Sequence, residues 1–484
     1  MKQKMIGAAA VLLAALALAG GSGQLAALDD FPAAAAITAL GTQPDTDNAA
    51  PLTAQTAGET PDFTKKIFAS ASAGENALRI AGVTVSLHEI QVEKTAGASA
   101  ETAADGDGAA LLVTGGAQAT IRGAKISASV PGSQGAVGSG ADTVLQLTDS
   151  SITTTGDRAD GLQTADGATV TAASVTVTTA GDDSAAVRAG SGTLVLQGGV
   201  YTSGGIHAPT IYAGGTVSAQ DATLTANNSE VLVLEGGQTL TLENCAVRGN
   251  MNGELDAAEA QELYNVRIYQ TGDLADRQDI ANLVMRGGSL SSGSGDLFYL
   301  TNVRCRLQLS GVSIEDAGSG VLLRVAGNDG ASGWGQAGNN GALAEILAED
   351  QTLEGDIVVD SISTMSLTLS GNSTLTGAIR VVDNAAGGSP AAENAVVEIG
   401  PGCLWSLTGD STVSSLENNG TIRYNGHTIT LADGTVLTGS MYARPTGQSG
   451  EPFAASGAPA VGFLWLCGSG RHGPARPGSP GLFS

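Results

Sequence analysis

Residues 166–183 read "DGATVTAASVTVTTAGDD". Val170, Val175 and Val177 stand among threonine, alanine and serine, and the stretch closes on Gly-Asp-Asp. It contains a simple template: one apolar residue (Val170), a second two positions on (Ala172), and a third seven positions after the first (Val177). The template recurs as Ala119, Ile121 and Ile126, then Leu145, Leu147 and Ile152, and beyond the opening stretch as Leu194, Leu196 and Tyr201. It continues as Val217, Ala219 and Leu224, then Leu240, Leu242 and Val247. The first members fall at 119, 145, 170, 194, 217 and 240, a period of 23–26 residues. Val83, Val85 and Ile90 fit before this series, and Leu283, Met285 and Leu290, then Leu307, Leu309 and Ile314, fit after it. Val397, Ile399 and Leu404, and "MSLTLSGNSTL" at 365–375 with one extra residue, read as degraded copies.

Two-residue spacing is the mark of a strand, because alternate side chains share a face. A further apolar position about eight residues before several triplets (Leu111, Val137, Leu162, Leu232) gives each repeat three short strands, parted by Gly, Asp or Asn turns. Three strands per two dozen residues, repeated many times, predict an all-β chain: a right-handed parallel β-helix solenoid of about ten to twelve coils. The predicted layout is a signal peptide at 1–19, a disordered linker at 20–62, and the β-helix over 63–438 with inserted loops near 250–280 and 327–350. A disordered Gly/Pro-rich tail follows at 439–484. The signal rests on Lys2 and Lys4 before an apolar run, with Ala17-Leu18-Ala19 as the cleavage site. That run is shorter than the ~20 residues of a membrane span, so no integral membrane span is expected after cleavage.

Phrases such as "GADTVLQLTDSSITTTGD" (140–157) and "GGQTLTLENCAVRGN" (236–250) resemble bacterial secreted and surface proteins of the parallel β-helix type, the adhesin-like relatives of the pectin-lyase-like fold and of autotransporter passengers. The resemblance covers about residues 75–435. It implies a secreted or cell-surface location and partners among extracellular glycans or host and cell surfaces.

Composition narrows the function classes. Forty-seven acidic against 22 basic residues give a formal charge of −25, which repels nucleic acid. Four cysteines (Cys245, Cys305, Cys403, Cys467) lie 60 or more residues apart without metal-ligand spacing, so free buried thiols are expected. His88, His207, His427 and His472 are scattered, and no metal site or cofactor is expected. Acidic turns at Asp105/Asp107, Asp157/Asp160 and Asp182/Asp183 give a weak signal for Ca²⁺. "RGNMNGELDAAE" (248–259) imitates an EF-hand loop, but Arg248 stands where the first carboxylate ligand belongs; an inserted loop and short helix are expected there.

In a solenoid, residues of equal phase stack, so a site should read as a column. Eight positions after each first member stand Ser127, Thr153, Thr178, Thr202, Thr225 and then Arg248. This predicts an outward hydroxyl ladder able to contact carbohydrate or ice, or simply to pair across strands for up to ~1 kcal/mol each. Sugar rings stack on exposed aromatics, and the best placed is Trp334, in the glycine-rich loop "AGNDGASGWGQAGNNG" (326–341). Arg122, Arg158, Arg188, Arg286, Arg304, Arg306 and Arg324 fall mostly at different phases, which argues against the convergent charge a polysaccharide lyase or glycoside hydrolase on this fold would need. The expected function is therefore a non-catalytic extracellular surface protein, adhesin-like or a carbohydrate-contacting scaffold. A β-helix lyase or hydrolase is the alternative, and Trp334, Thr153, Thr178, Thr202 and Thr225 are the candidate ligand-binding residues.

Overall fold

A computed structural model describes residues 62–96, 106–252, 263–274, 279–316, 318–331 and 333–439, together with the strand Ala36–Ala39. The expected signal, the expected tail beyond Gly439, most of the expected linker, Asp105, the EF-hand-like turn from Gly253 onward, Cys467 and His472 lie outside the described residues.

The chain is a parallel β-helix solenoid. Three sheets run along it, of thirteen, fourteen and ten strands, and each strand pairs with its equivalent one coil away. The coil containing the opening stretch shows the plan. Leu162–Ala165 lies in the first sheet, Thr169–Ala173 in the second and Thr176–Thr179 in the third. Fourteen strands in the second sheet exceed the expected ten to twelve coils, because Asp62–Thr64 and the degraded C-terminal copies join the same ladder. At ~4.8 Å per neighbouring strand this ladder extends roughly 60 Å. After Ser313–Asp316 the third side passes to a four-stranded sheet, Thr352–Glu354 to Thr421–Arg423.

The template residues are the core. Ala119, Leu145, Val170, Leu194, Val217, Leu240, Leu283 and Leu307 stand in one register, and all are essentially solvent-free. Leu367 pairs with Val397 in the same column, so the degraded copies are true coils. The earliest triplet is displaced by two residues. Val85, Leu87 and Val92, rather than Val83, Val85 and Ile90, align with Ala119, Ile121 and Ile126.

Three further readings change. Val137 pairs with Leu112 on the outer side of the first sheet, where the pair packs with Ala109 away from the main core; Ala136 is the inward residue. Ala36–Ala39, inside the expected linker, pairs antiparallel with Leu78–Ala81 at the end of the first sheet. The expected insertions each contain a strand of the ladders, Tyr264–Tyr269 in the first sheet and Leu343–Glu349 in the second.

The corner between the second and third sheets explains the Asp, Asn and Gly punctuation. One residue per coil there is left-handed: Gly123 (φ 68), Asp149 (φ 51), Ser174 (φ 53), Gly198 (φ 63), Asp221 (φ 54), Asn244 (φ 52) and Gly287 (φ 59). Glycine, Asn and Asp tolerate this conformation best. The amide of each corner residue donates to the next coil, as Asp149 N–H does to the Ala173 carbonyl at 3.0 Å.

Candidate functional site

Three features stand apart from the core: a hydroxyl face, an arginine and aromatic cluster, and a groove. The first lies on the outer side of the third sheet. Thr153 pairs in register with Ser127 and Thr178, Thr178 with Thr202, and Thr202 with Thr225, so the expected ladder is one column, ended by Arg248. A second outward column, unnoticed in the sequence, runs beside it: Ser151, Thr176, Val200, Thr223 and Ala246. Lys125 and Arg248 bound an uncharged patch four coils deep.

The cross-strand hydroxyl pairs anticipated for this ladder do not form. Parallel strands lie ~4.8 Å apart, while a hydroxyl hydrogen bond spans about 2.7 Å, so side chains of the same rotamer cannot bridge the gap. Thr153, Thr176, Thr178, Thr202, Thr223 and Thr225 accordingly bond to no described residue through their hydroxyls. Each keeps one donor and two acceptor positions for whatever lies above it. Sheet pairing fixes the backbone and β-branching restricts χ1, so the array is regular without internal bonding.

The second feature covers the outer side of the first sheet. Trp334 is expected as an exposed aromatic on a glycine-rich loop, and the structure shows it packed and the loop held in place. The loop is tied by asparagines: the Asn340 side-chain amide donates to Asn328 Oδ1 at 2.9 Å and to the Trp334 carbonyl at 3.2 Å, and Asn328 Oδ1 accepts from Gly330 N–H at 2.8 Å. Trp334 is half-buried, with its ring centroid 4.9 Å from that of Tyr269. The guanidinium of Arg267 lies 4.5 Å from the Trp334 ring and 4.7 Å from the Tyr269 ring. Arg267 pairs with Glu230 at 3.0 Å, and Glu230 also accepts from Ser229 Oγ at 2.6 Å. Burial works against the Arg267 charge, yet Glu230 and the neighbouring tyrosines outweigh it, and the guanidinium pKa is raised. Burial pushes the Tyr269 phenol up to about 12.

Arginines also align more than their sequence spacing indicates. Arg188, Tyr212, Val233, Arg267, Tyr299 and Arg324 form one outward column of the first sheet. Each arginine in it meets a carboxylate one coil back: Arg188 pairs with Asp160, Arg267 with Glu230 and Arg324 with Asp296. Arg188 also lies over the Tyr212 ring, 4.3 Å from its centroid. The positive charge of this column is spent within the protein.

Two of the acidic turns, Asp157/Asp160 and Asp182/Asp183, do the same with backbone amides. Asp157 Oδ1 accepts from Asp182 N–H at 3.1 Å, and Asp182 Oδ1 accepts from Ile206 N–H at 2.9 Å. Among the described residues no group of three or more His, Cys, Asp or Glu side chains is placed to hold a metal. Cys245, Cys305 and Cys403 are buried and free.

The third feature was missed altogether. A groove of about 560 Å³ runs along the second sheet, lined by Ile280, Arg304, Leu343, Glu345, Thr364, Ser366, Glu393 and Val396 with Cys305, Ala344 and Met365 beneath. Its walls come from four neighbouring strands in the loosened C-terminal repeats and from flanking loops.

No family model, curated protein or solved structure matches the chain significantly.

Proposed function

We propose that this protein is a non-catalytic extracellular scaffold of the adhesin-like kind, which contacts neutral carbohydrate along the outer face of its third sheet. The observation that carries this reading is the in-register, uncharged array of Thr153, Thr176, Thr178, Thr202, Thr223 and Thr225, whose hydroxyls have no partner within the described protein. A polymer with repeated hydroxyls engages several ranks at once, and each added rank gains from the high effective concentration set by the previous one. A net charge of −25 disfavours polyanionic ligands. The resemblance to bacterial surface β-helix proteins supports the extracellular setting.

The test is a glycan array of neutral and anionic polysaccharides, probed with the parent protein and with Thr178→Lys/Thr202→Lys, alongside an assay for release of reducing ends or unsaturated sugars. Expected are binding of neutral polymers, loss of that binding in the variant, and no turnover. Turnover would favour a lyase or hydrolase instead. Binding that survives the two lysines would remove this face from the site.

A further inference from the structure

The geometry points to a second binding site in the groove of the second sheet, one that takes a short linear saccharide bearing primary ammonium groups. The groove spans strands Arg304–Ser310, Leu343–Glu349, Thr364–Ser370 and Ala395–Ile399. Three strand spacings give it a length of about 14 Å, and the cavity is about 560 Å³. Two outward rows line it: Arg304, Leu343 and Thr364 in one, Glu345, Ser366 and Val396 in the other.

The hydrogen-bonding capacity left over in these walls is rich in acceptors. Glu345 receives both Arg306 Nε and Arg306 Nη2 on its Oε2, at 2.7 Å each, so Oε1 remains. Glu393 is exposed at the rim and makes no hydrogen bond or ion pair with the described residues. Thr364 and Ser366 add unbonded hydroxyls, while Arg304 has a partner within the protein. A donor-rich ligand fits this inventory, and an ammonium group supplies three donors with no acceptor. The negative charge of the whole chain draws cations toward it. Ile280, 47% exposed, joins Leu343 and Val396 in giving an apolar surface for the C–H face of a pyranose. This site is separate from the hydroxyl face, and neither depends on the other.

The experiment titrates the full chain with a glucosamine trimer, its N-acetylated counterpart and spermidine, read by calorimetry at low and high salt. Expected is saturable binding of the glucosamine trimer that weakens with salt, with the N-acetylated trimer and spermidine each binding at least tenfold less tightly. Glu393→Gln should weaken the trimer by about fivefold, the value of an exposed ion pair near 1 kcal/mol. Leu343→Arg should abolish binding with an unchanged circular dichroism spectrum and melting curve, and Thr178→Lys/Thr202→Lys should leave it intact. Equal binding of the N-acetylated trimer, equal binding of spermidine, or indifference to both groove variants overturns the assignment. Loss on Thr178→Lys/Thr202→Lys would instead place the trimer on the third sheet.

Discussion

Replacing Glu230 by Gln removes the charge that Arg267 depends on and leaves the shape of the side chain nearly unchanged. The two side chains are only 2% and 14% exposed and meet at 3.0 Å. With an effective dielectric of about 20, unit charges at that separation attract by ~5.5 kcal/mol. A glutamine keeps one hydrogen bond to the guanidinium, so the net cost should be about 3 kcal/mol, at the lower end for breaking a buried pair. Solenoid stability is a sum of neighbouring terms, so the loss should be local: faster amide exchange in Tyr264–Tyr269 and its paired strands by roughly 150-fold, with a smaller drop in the urea midpoint. The double variant Glu230→Met/Arg267→Met should lie within about 1 kcal/mol of the parent, since an apolar pair avoids the desolvation cost. A Glu230→Gln protein with parental exchange in Tyr264–Tyr269, or a double variant as unstable as the single one, would refute the idea that charge pairing holds Trp334 and its loop over the first sheet.

Two other perturbations probe the coils themselves. A methyl group added at Gly181 would overlap the carbonyl of Gly156 in the coil below, and backbone cannot yield as a side chain can. Gly181→Ala should therefore lower stability by about 3 kcal/mol through overpacking and a spread ladder; a urea midpoint equal to the parent's would contradict the close stacking of Gly156, Gly181 and Gly205. Burial pushes the Cys305 thiol up to about 12, so its neutral form is favoured on folding. A raised pKa means this contribution is complete below the unfolded value near 8.5 and is lost as pH rises toward 12. In a Cys467→Ser background, a thiol reagent at pH 8 should label no described cysteine until urea is added, and Cys305→Ala should flatten the decline in stability between about pH 9 and 12. Rapid labelling of the folded protein at pH 8 would show that the thiols are accessible.

What could be read ahead of the structure follows from which side of the strand a residue occupies. Inward positions such as Leu145, Val170 and Leu194 share one buried environment coil after coil, so their period survives in the sequence. The outward threonines were legible for a related reason: Thr153, Thr178 and Thr202 inherit the register of the core residues beside them. Their companions Thr176 and Thr223 were overlooked because Val200 and Ala246 interrupt that column, although geometry keeps it continuous. The first sheet's outer side was opaque, since its neighbours come from insertions of unequal length. Arg188 and Arg324 each lie 28 residues from their partners Asp160 and Asp296, whereas Arg267 lies 37 from Glu230, so the insertion before Arg267 breaks the one spacing these pairs would otherwise share. The groove is harder still, because Leu343, Ser366 and Val396 become neighbours only through coils whose period has drifted. A solenoid therefore announces its core, and the outward columns beside it, through repetition, and hides its grooves where repetition fails. The rim of the groove at Glu393, exposed and outside the stacked core, is accordingly a place where mutation should separate binding from folding.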